Sequence, residues 1–477
     1  MPIILGGGIG GLSAAYYLLK KGNSTAKPIL FEAGNRLGGW IQTNYPLGDK
    51  SIRFESGPRT LRPNGDKALN TLELCDDIGL TNEILPIKSG HPAAQNRLLA
   101  VNNELYPLPA SLWKFFKKIP PFSKPLIAAI AHDYKNPYMG KPMSDDSTYN
   151  FIERRFGTEI AEYLVSAMIC GICAGDAKKI SVKFLMKDWF EAEQTYATVT
   201  KGLMQKVLQQ YRNRHSTVRT SDQSCDLVKK SLAEKWSIYS MKDGLETLPK
   251  TLADYLQSHD VQLNMNSKCE HIEFTSNGVS ITANGKSYES DCLISSLPAF
   301  EIGKLLKNQH PKLANDLMEI PYVDVVVINL HFNRNDLIKS PGFGFLVPPS
   351  QNLPILGVIY DSCCFDMDKN TVLTVMMGGQ FFDERLGTFD ENILYEKAIQ
   401  QIKNILKIEQ KPSTVKVNIL RQCIPQYVVG HFERVERIIE YIKKNEIPLK
   451  LCGAAYNGVG VNDVIHSAKE AIGSITY

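Results

Sequence analysis

The stretch "MPIILGGGIGGLSAAYYLLKKG", residues 1–22, decides the fold. Ile3 to Leu5 form an apolar run of the length of a short buried strand, and Leu12 to Lys20 read as a helix. Between them Gly6, Gly8 and Gly11 stand at G-x-G-x-x-G spacing, with Gly7, Ile9 and Gly10 filling the turn. A glycine turn feeding a helix N-terminus brings bare N–H groups and a positive dipole end to one point, which suits a pyrophosphate. The motif alone is weak evidence, because glycine turns are common, so its surroundings have to agree with it.

They do. "PILFEA" (28–33) reads as a second strand ending at Glu32. That acid lies about twenty residues past the last glycine, where it can accept hydrogen bonds from adenosine ribose hydroxyls. "EAGNRLGGW" then supplies Ala33, Arg36, the pair Gly38-Gly39, and Trp40. An arginine there can serve phosphates, and paired glycines let a second loop approach a cofactor closely. A nicotinamide dehydrogenase has no need of this second loop; its order resembles the dinucleotide-binding extension of the flavin amine oxidase superfamily. A third piece stands at the other end of the chain, "LKLCGAAYNGVGVNDVIHSAKEA" (449–471), a strand leading through Val459, Gly460 and Val461 into a helix. Such a helix start can face the region of a flavin where negative charge gathers on reduction. Together the three pieces point to FAD.

Composition bounds the rest. The chain has 477 residues, long enough for two or three domains, with 43% hydrophobic and 22% charged residues. A net charge of +4, without basic runs interleaved with aromatics, gives no reason to expect nucleic acid. Ten scattered cysteines show no disulfide rhythm and read as free thiols of a non-secreted protein; no metal set is expected, and the Cys170/Cys173 pair lacks a matching second pair. No apolar leader precedes the first strand, so a removable targeting segment is not expected. No run is long and apolar enough to span a membrane.

Along the chain, helices are expected at 11–21, 66–79 and 391–408, and mainly helical structure from 148 to 211. A polar loop follows at 211–226. β-rich segments are expected at 239–250, 261–274, 278–299, 322–333 and 371–380, with a last strand–helix unit at 450–474. Nucleotide-type segments at both ends imply an α/β protein with interleaved domains. An FAD-binding Rossmann-like domain would be assembled from 1–90, 228–300 and 421–477. A mainly helical membrane-binding and substrate-contacting domain would take 91–210, and a mixed-sheet substrate domain 301–420.

The chain resembles the protoporphyrinogen oxidase family of the animal mitochondrial type nearly end to end. The resemblance is carried by "LGGGIGGLSAAYYL", "EAGNRLGGWIQT", "FESGPRTLRP", "HPAAQNRLL", "PPFSKPL", "EAEQT", "GFGFLVPPS", "LGVIYDS", "CIPQYVVGH" and "GVGVND". It implies a fold of the flavin amine oxidase kind, FAD, and removal of six electrons from protoporphyrinogen IX in three rounds, with O2 as the final acceptor and hydrogen peroxide released. It implies further that Gly57, Pro58, Arg59 and Thr60 lie against the flavin, that Lys268 contacts adenine through its backbone, and that Phe432 stands near the cofactor. Arg97 would hold a propionate, which a guanidinium fork suits. Phe343, Gly344, Leu346 and Met376 would form apolar walls, and Gly171 would line the slot through its backbone. Phe345 stands where close relatives carry a histidine, which puts polar contact at that position in question.

The segment 105–132 sets Trp113, Phe115, Phe116 and Ile119 beside Lys114, Lys117 and Lys118, a composition suited to a membrane surface. The resemblance implies peripheral attachment to the mitochondrial inner membrane on its intermembrane-space side, and allows a homodimer and contact with the next haem-pathway enzyme. Two other readings stay open here: another oxidase or desaturase of the superfamily, and a non-enzymatic lipid chaperone related to the GDP-dissociation inhibitors.

Overall fold

A computed structural model describes residues 1–22, 27–48, 50–109, 115–212, 225–276, 278–365, 367 and 369–475. The chain divides into two units, each built from separate stretches: unit 1 from 1–88, 224–321 and 432–477, and unit 2 from 89–223 and 322–431. The expected interleaving is present. Of the loop read at 211–226, residues 213–224 lie outside the described residues.

Unit 1 is organised on a parallel sheet of five strands, in the order Leu449–Leu451, Leu293–Ser295, Ile3–Leu5, Ile29–Phe31, Gln262–Asn264. The first strand is central and fully buried, as its continuous apolar sequence demands. The helix Ile9–Lys21 starts two residues before the sequence pattern suggested, taking Gly10 and Gly11 into its first turn. It buries Leu12, Ala15 and Tyr16 and stops at Gly22, whose φ of 69° ends the helix behind Lys20 and Lys21. The helices Asp66–Asp77 and Val461–Gly473 complete one layer of its core.

The β-rich expectation for 239–250 is half corrected. The strand Trp236–Met241 is followed by the helix Thr247–Ser258, because Leu248, Leu252 and Leu256 recur at four-residue spacing and all three are fully buried. Two short helices, Ala299–Leu306 and Pro311–Met318, were not anticipated and belong to unit 1.

Unit 2 is organised on a seven-stranded sheet, in the order Thr414–Pro425, Tyr322–Phe332, Thr371–Gly378, Ile355–Tyr360, Gly344–Leu346, Arg97–Val101, Glu104–Pro107. The last two strands lie in a stretch read as mainly helical. Alternation assigns the faces. Val326, Ile328, Leu330 and Phe332 pack with Leu394, Ala398 and Ile402 of the helix Glu391–Leu406. Val323, Val325 and Val327 turn to the other face, with Leu356 and Met376. Helices from Thr148 to Arg212 make up most of the rest, held in part by a buried charge cluster. There Arg154 meets Glu193 in a two-bond fork at 2.8 Å, and Arg155 meets Glu193 at 3.0 Å.

All ten cysteines are free. Burial pushes the Cys170 and Cys173 thiols up to about 12, and their sulfurs donate to carbonyls of Gly175 and Ile169. Among the described residues no helix is long and apolar enough to cross a membrane.

Candidate functional site: a glycine-turn nucleotide cradle and a substrate face

In unit 1 the glycine turn is shaped by its neighbours. Gly6 has a φ of 98°, and the Ser296 hydroxyl donates to the carbonyls of Leu5 and Gly6 at 3.1 Å each. Ser296 follows the strand Leu293–Ser295 and escaped the sequence reading, since only the sheet order brings it here. The helix Ile9–Lys21 begins at Gly8 with no side-chain cap and no acid in its first turn. A helix start of this kind leaves backbone N–H groups for an anion.

Glu32 is fixed at the end of its strand. The Gly7 N–H donates to Oε2 at 2.6 Å and the Gly34 N–H to Oε1 at 2.7 Å. A carboxylate offers about four acceptor positions, so two bonds orient it and leave capacity for ribose hydroxyls. The second loop folds onto the first: Gly8 bridges Gly38, and a Cβ on Gly39 would stand 3.2 Å from the Gly8 Cα. Gly38 and Gly39 both have positive φ, so the approach needs glycine at this point. Arg36 donates to the carbonyls of Leu37, Gly39 and Ile41 and thereby ties its own loop. Ala33 and Trp40 are exposed.

Gly57 passes so close to Trp40 that a Cβ there would lie 2.1 Å from its carbonyl oxygen. Pro58 and Thr60 are half-buried and Arg59 is buried, with its carbonyl taking the Ser240 hydroxyl at 2.7 Å. Lys268 is exposed just before a strand that begins at Cys269, which is compatible with a backbone role. Phe432 is half-buried at the start of the helix His431–Lys444, which Arg434 and Arg437 pin to Glu319 and Asp316. At the chain's far end Gly460 caps the helix Val461–Gly473, preceded by a half-buried Val459. Asp463 accepts the Gly460 N–H at 3.2 Å and an ammonium hydrogen of Lys67 at 2.8 Å. This helix start is therefore partly compensated from within, which the sequence motif did not reveal.

Glu55 is a further group the sequence reading passed over. It takes the Leu245 N–H at 3.0 Å and the Thr43 hydroxyl at 2.9 Å. Burial nevertheless raises its carboxyl to about 7, against the lowering by these bonds and by Arg59 and Arg53. Because the folded value lies above the unfolded one, the native state holds the extra proton between them. Stability from this group is full at acid pH and is lost as pH rises toward and through 7. Glu55→Gln should therefore match the native chain near pH 5 and exceed it by roughly 2–3 kcal/mol at pH 8, read as denaturation midpoints across that range.

Unit 2 gathers the residues expected to meet the substrate. Lateral register places Leu99, Leu346, Gly357, Met376, Val327 and Asn418 in one row across six strands. The neighbouring row on the same face is Arg97, Gly344, Ile359, Thr374, Asn329 and Lys416. Arg97 is exposed, with its guanidinium 5.5 Å from the Phe343 ring centre. Leu346 and Met376 are half-buried, and a Cβ on Gly171 would stand 2.6 Å from a Leu346 methyl, so those two residues are also brought together. Gly344 has a φ of 134°, and a Cβ there would strike the Val358 carbonyl at 2.0 Å. Phe345 points to the opposite face, buried beside Tyr360, so polarity at that position is not presented with this row.

The family model for flavin-containing amine oxidoreductases matches residues 9–472. The chain belongs to the flavin-containing amine oxidoreductase family. Its cofactor is FAD, and the uncapped glycine turn, Glu32 and the Gly38-Gly39 loop fit it. Protoporphyrinogen oxidase of Bos taurus is 35% identical, covering 98% of this chain and 97% of that protein. The Homo sapiens enzyme of that name is 34% identical over 99% and 98%. A coproporphyrinogen III oxidase of Bacillus subtilis is 25% identical over 100% and 98%. Among solved structures, a proposed protoporphyrinogen oxidase from Exiguobacterium sp. superposes with a TM-score of 0.79 at 21% identity, covering 99% and 98% of the two chains. At that identity the match speaks for the fold alone.

Proposed function

We propose that this chain oxidises protoporphyrinogen IX to protoporphyrin IX in haem biosynthesis, with three O2 reduced to three H2O2 per macrocycle. The observation that carries the reading is near-full-length similarity to oxidases of that name, together with a cation and an apolar row on one sheet face. When bound, FAD supplies the two-electron acceptor and hands the electrons to O2.

The protein's part is positional. Arg97 offers a planar fork to a propionate, and Phe343 beneath it holds the guanidinium in place. Leu346 and Met376 give an apolar surface to the flat of the ring, and the glycines at 344 and 357 keep that surface low. The electron-rich pyrroles activate the carbon that loses hydrogen, so no acid–base pair is required of the chain; holding the substrate accounts for much of the acceleration. An oxygen electrode read beside porphyrin fluorescence tests this directly. Three O2 consumed per porphyrin supports the reading, and oxygen uptake without porphyrin refutes it.

We also propose that the protein sits on a membrane surface, the mitochondrial inner membrane facing the intermembrane space, through 105–132, which runs into the helix Ile127–Lys135. Phe116 is 61% exposed between Phe115 and two exposed lysines, and Ile130 and Tyr134 are exposed one turn apart on the helix Ile127–Lys135. Trp113 and Lys114 lie outside the described residues. In flotation with anionic vesicles, the native chain should rise with lipid and a Trp113/Phe115/Phe116 triple-serine variant should stay at the bottom. Equal flotation of the two would refute the assignment to this segment.

A further inference from the structure

The second glycine loop is seated on a distant stretch of its own unit. The Thr43 N–H donates to Glu246 Oε2 at 3.2 Å, across 203 positions of the chain, and the Glu246 N–H donates back to the Thr43 hydroxyl oxygen at 3.3 Å. A Cβ on Gly38 would lie 3.2 Å from Pro249 Cγ, so the loop passes close to the first turn of the helix Thr247–Ser258. Glu246 Oε1 stands 3.7 Å from Arg36 Nη1. Lys250, one turn along the helix, donates to Oε2 at 3.1 Å. Glu246 itself is only 7% exposed. It immediately precedes the helix, where a negative charge meets the positive end of the dipole.

Arg36 divides its donors between the loop and what lies beyond it. Nη1 donates to the carbonyls of Leu37 at 3.1 Å and Ile41 at 3.2 Å, and Nη2 donates to that of Gly39. A guanidinium presents five N–H donors in one plane. Among the described residues, Nε–H and one Nη2 hydrogen are left over, a pair that suits a phosphate. The loop reaches the first glycine turn where Gly8 bridges Gly38. Its shape rests on Gly38 and Gly39, both at positive φ and of the residue type that loses most freedom on ordering. Such a loop has to be held from outside. The Glu246 carboxylate does this on both flanks of the glycine pair, through Arg36 on one side and Thr43 on the other.

We infer that Glu246 is a positioning residue for the cofactor: it seats the second glycine loop on the helix start and holds Arg36 turned for the FAD pyrophosphate. A carboxylate has the wrong sign to bind the pyrophosphate, so its effect runs through the arginine. The gain is one of pre-organisation, since loop and guanidinium are set before the anion arrives. This role concerns FAD alone and does not depend on which substrate the flavin oxidises.

Dissociation of FAD from the holoenzyme, read as free-flavin fluorescence at equilibrium after serial dilution, tests it. Glu246→Gln keeps an acceptor for the Thr43 N–H and removes the charge. It should raise the FAD Kd about tenfold, the order expected for one charge-assisted contact. Arg36→Gln should raise it at least as much. The double variant should match Arg36→Gln within about twofold, because Glu246 then has no arginine to position. A merely structural Glu246 would weaken FAD by the same factor with and without Arg36, so multiplied effects in the double variant overturn the inference. Wild-type affinity in Glu246→Gln overturns it as well. Glu246→Asp, which keeps the charge and shortens the reach, takes the place of the glutamine variant if that one fails to fold. A loss that vanishes in the Arg36→Gln background supports the inference; a loss that persists there, or no loss, overturns it.

Discussion

Gly11→Ala should yield a colourless protein. A Cβ at this position would stand 1.9 Å from the Gly6 carbonyl oxygen and 2.8 Å from the Ser296 hydroxyl. The first of these contacts is with backbone, which cannot rotate away. The helix Ile9–Lys21 would have to lift from the turn that precedes it, and the N–H groups of its first turn would no longer converge where the second loop closes. Overpacking of this kind costs about 1–3 kcal/mol of stability, so the chain should still fold at low temperature while unfolding earlier. Gly473→Ala, where a Cβ meets nothing within 4 Å, is the matched control and should keep its flavin. Visible flavin absorbance per protein, measured after purification, decides the matter. Wild-type flavin content in Gly11→Ala would mean that the turn is not the pyrophosphate site.

Arg97→Ala should separate substrate binding from cofactor binding. The arginine belongs to unit 2, on the strand Arg97–Val101, whereas the glycine turn, Glu32 and the Gly38-Gly39 loop belong to unit 1. Losing a charge-assisted fork to a carboxylate costs on the order of 1.5–3 kcal/mol, which corresponds to a KM raised roughly 10- to 100-fold. FAD content should not change. Arg97→Lys should recover only part of the loss, since an ammonium keeps the charge without the planar pair of donors. Steady-state kinetics with flavin quantified in the same samples checks both halves. Flavin lost with KM unchanged would contradict the assignment of Arg97 to the substrate.

Much of unit 1 was legible because its chemistry is local. The glycine turn, Glu32 and the Gly38-Gly39 loop lie within one short stretch, and backbone constraints at close approach are written directly as glycine. The partners that complete the cradle were not legible, because sheet order brings them in from far away. Ser296 reaches the turn only because Leu293–Ser295 pairs with Ile3–Leu5. Glu55 meets Leu245 from nearly two hundred residues off. The misread stretch at 239–250 fails for a different reason: the last three residues of a strand and the start of a helix with buried leucines meet in one window, and the window averaged them.

In unit 2 the strands at 322–333 and 371–380 were found, the other five strands of the sheet were not, and no strand's face was assigned. Phe343, Gly344, Leu346 and Met376 were named through resemblance; the common face of Gly344, Leu346 and Met376 follows from register, which a single strand does not specify. The buried side-chain hydrogen bonds of this sheet had one faint mark in the sequence, Asn329 inside the apolar run "YVDVVVINLHF". A buried amide in such a strand demands partners, and Thr374, Asn418 and Asp361 come from three other segments to supply them.

The measurement that bears most directly on the central claim is an anaerobic titration of the purified holoenzyme with protoporphyrinogen IX, followed by admission of air. The account predicts that flavin absorbance bleaches as porphyrin fluorescence appears, about three flavins for each porphyrin, and that the flavin colour returns when O2 enters. Flavin that stays oxidised in the presence of the porphyrinogen, while the same sample remains fully loaded with FAD, would contradict it.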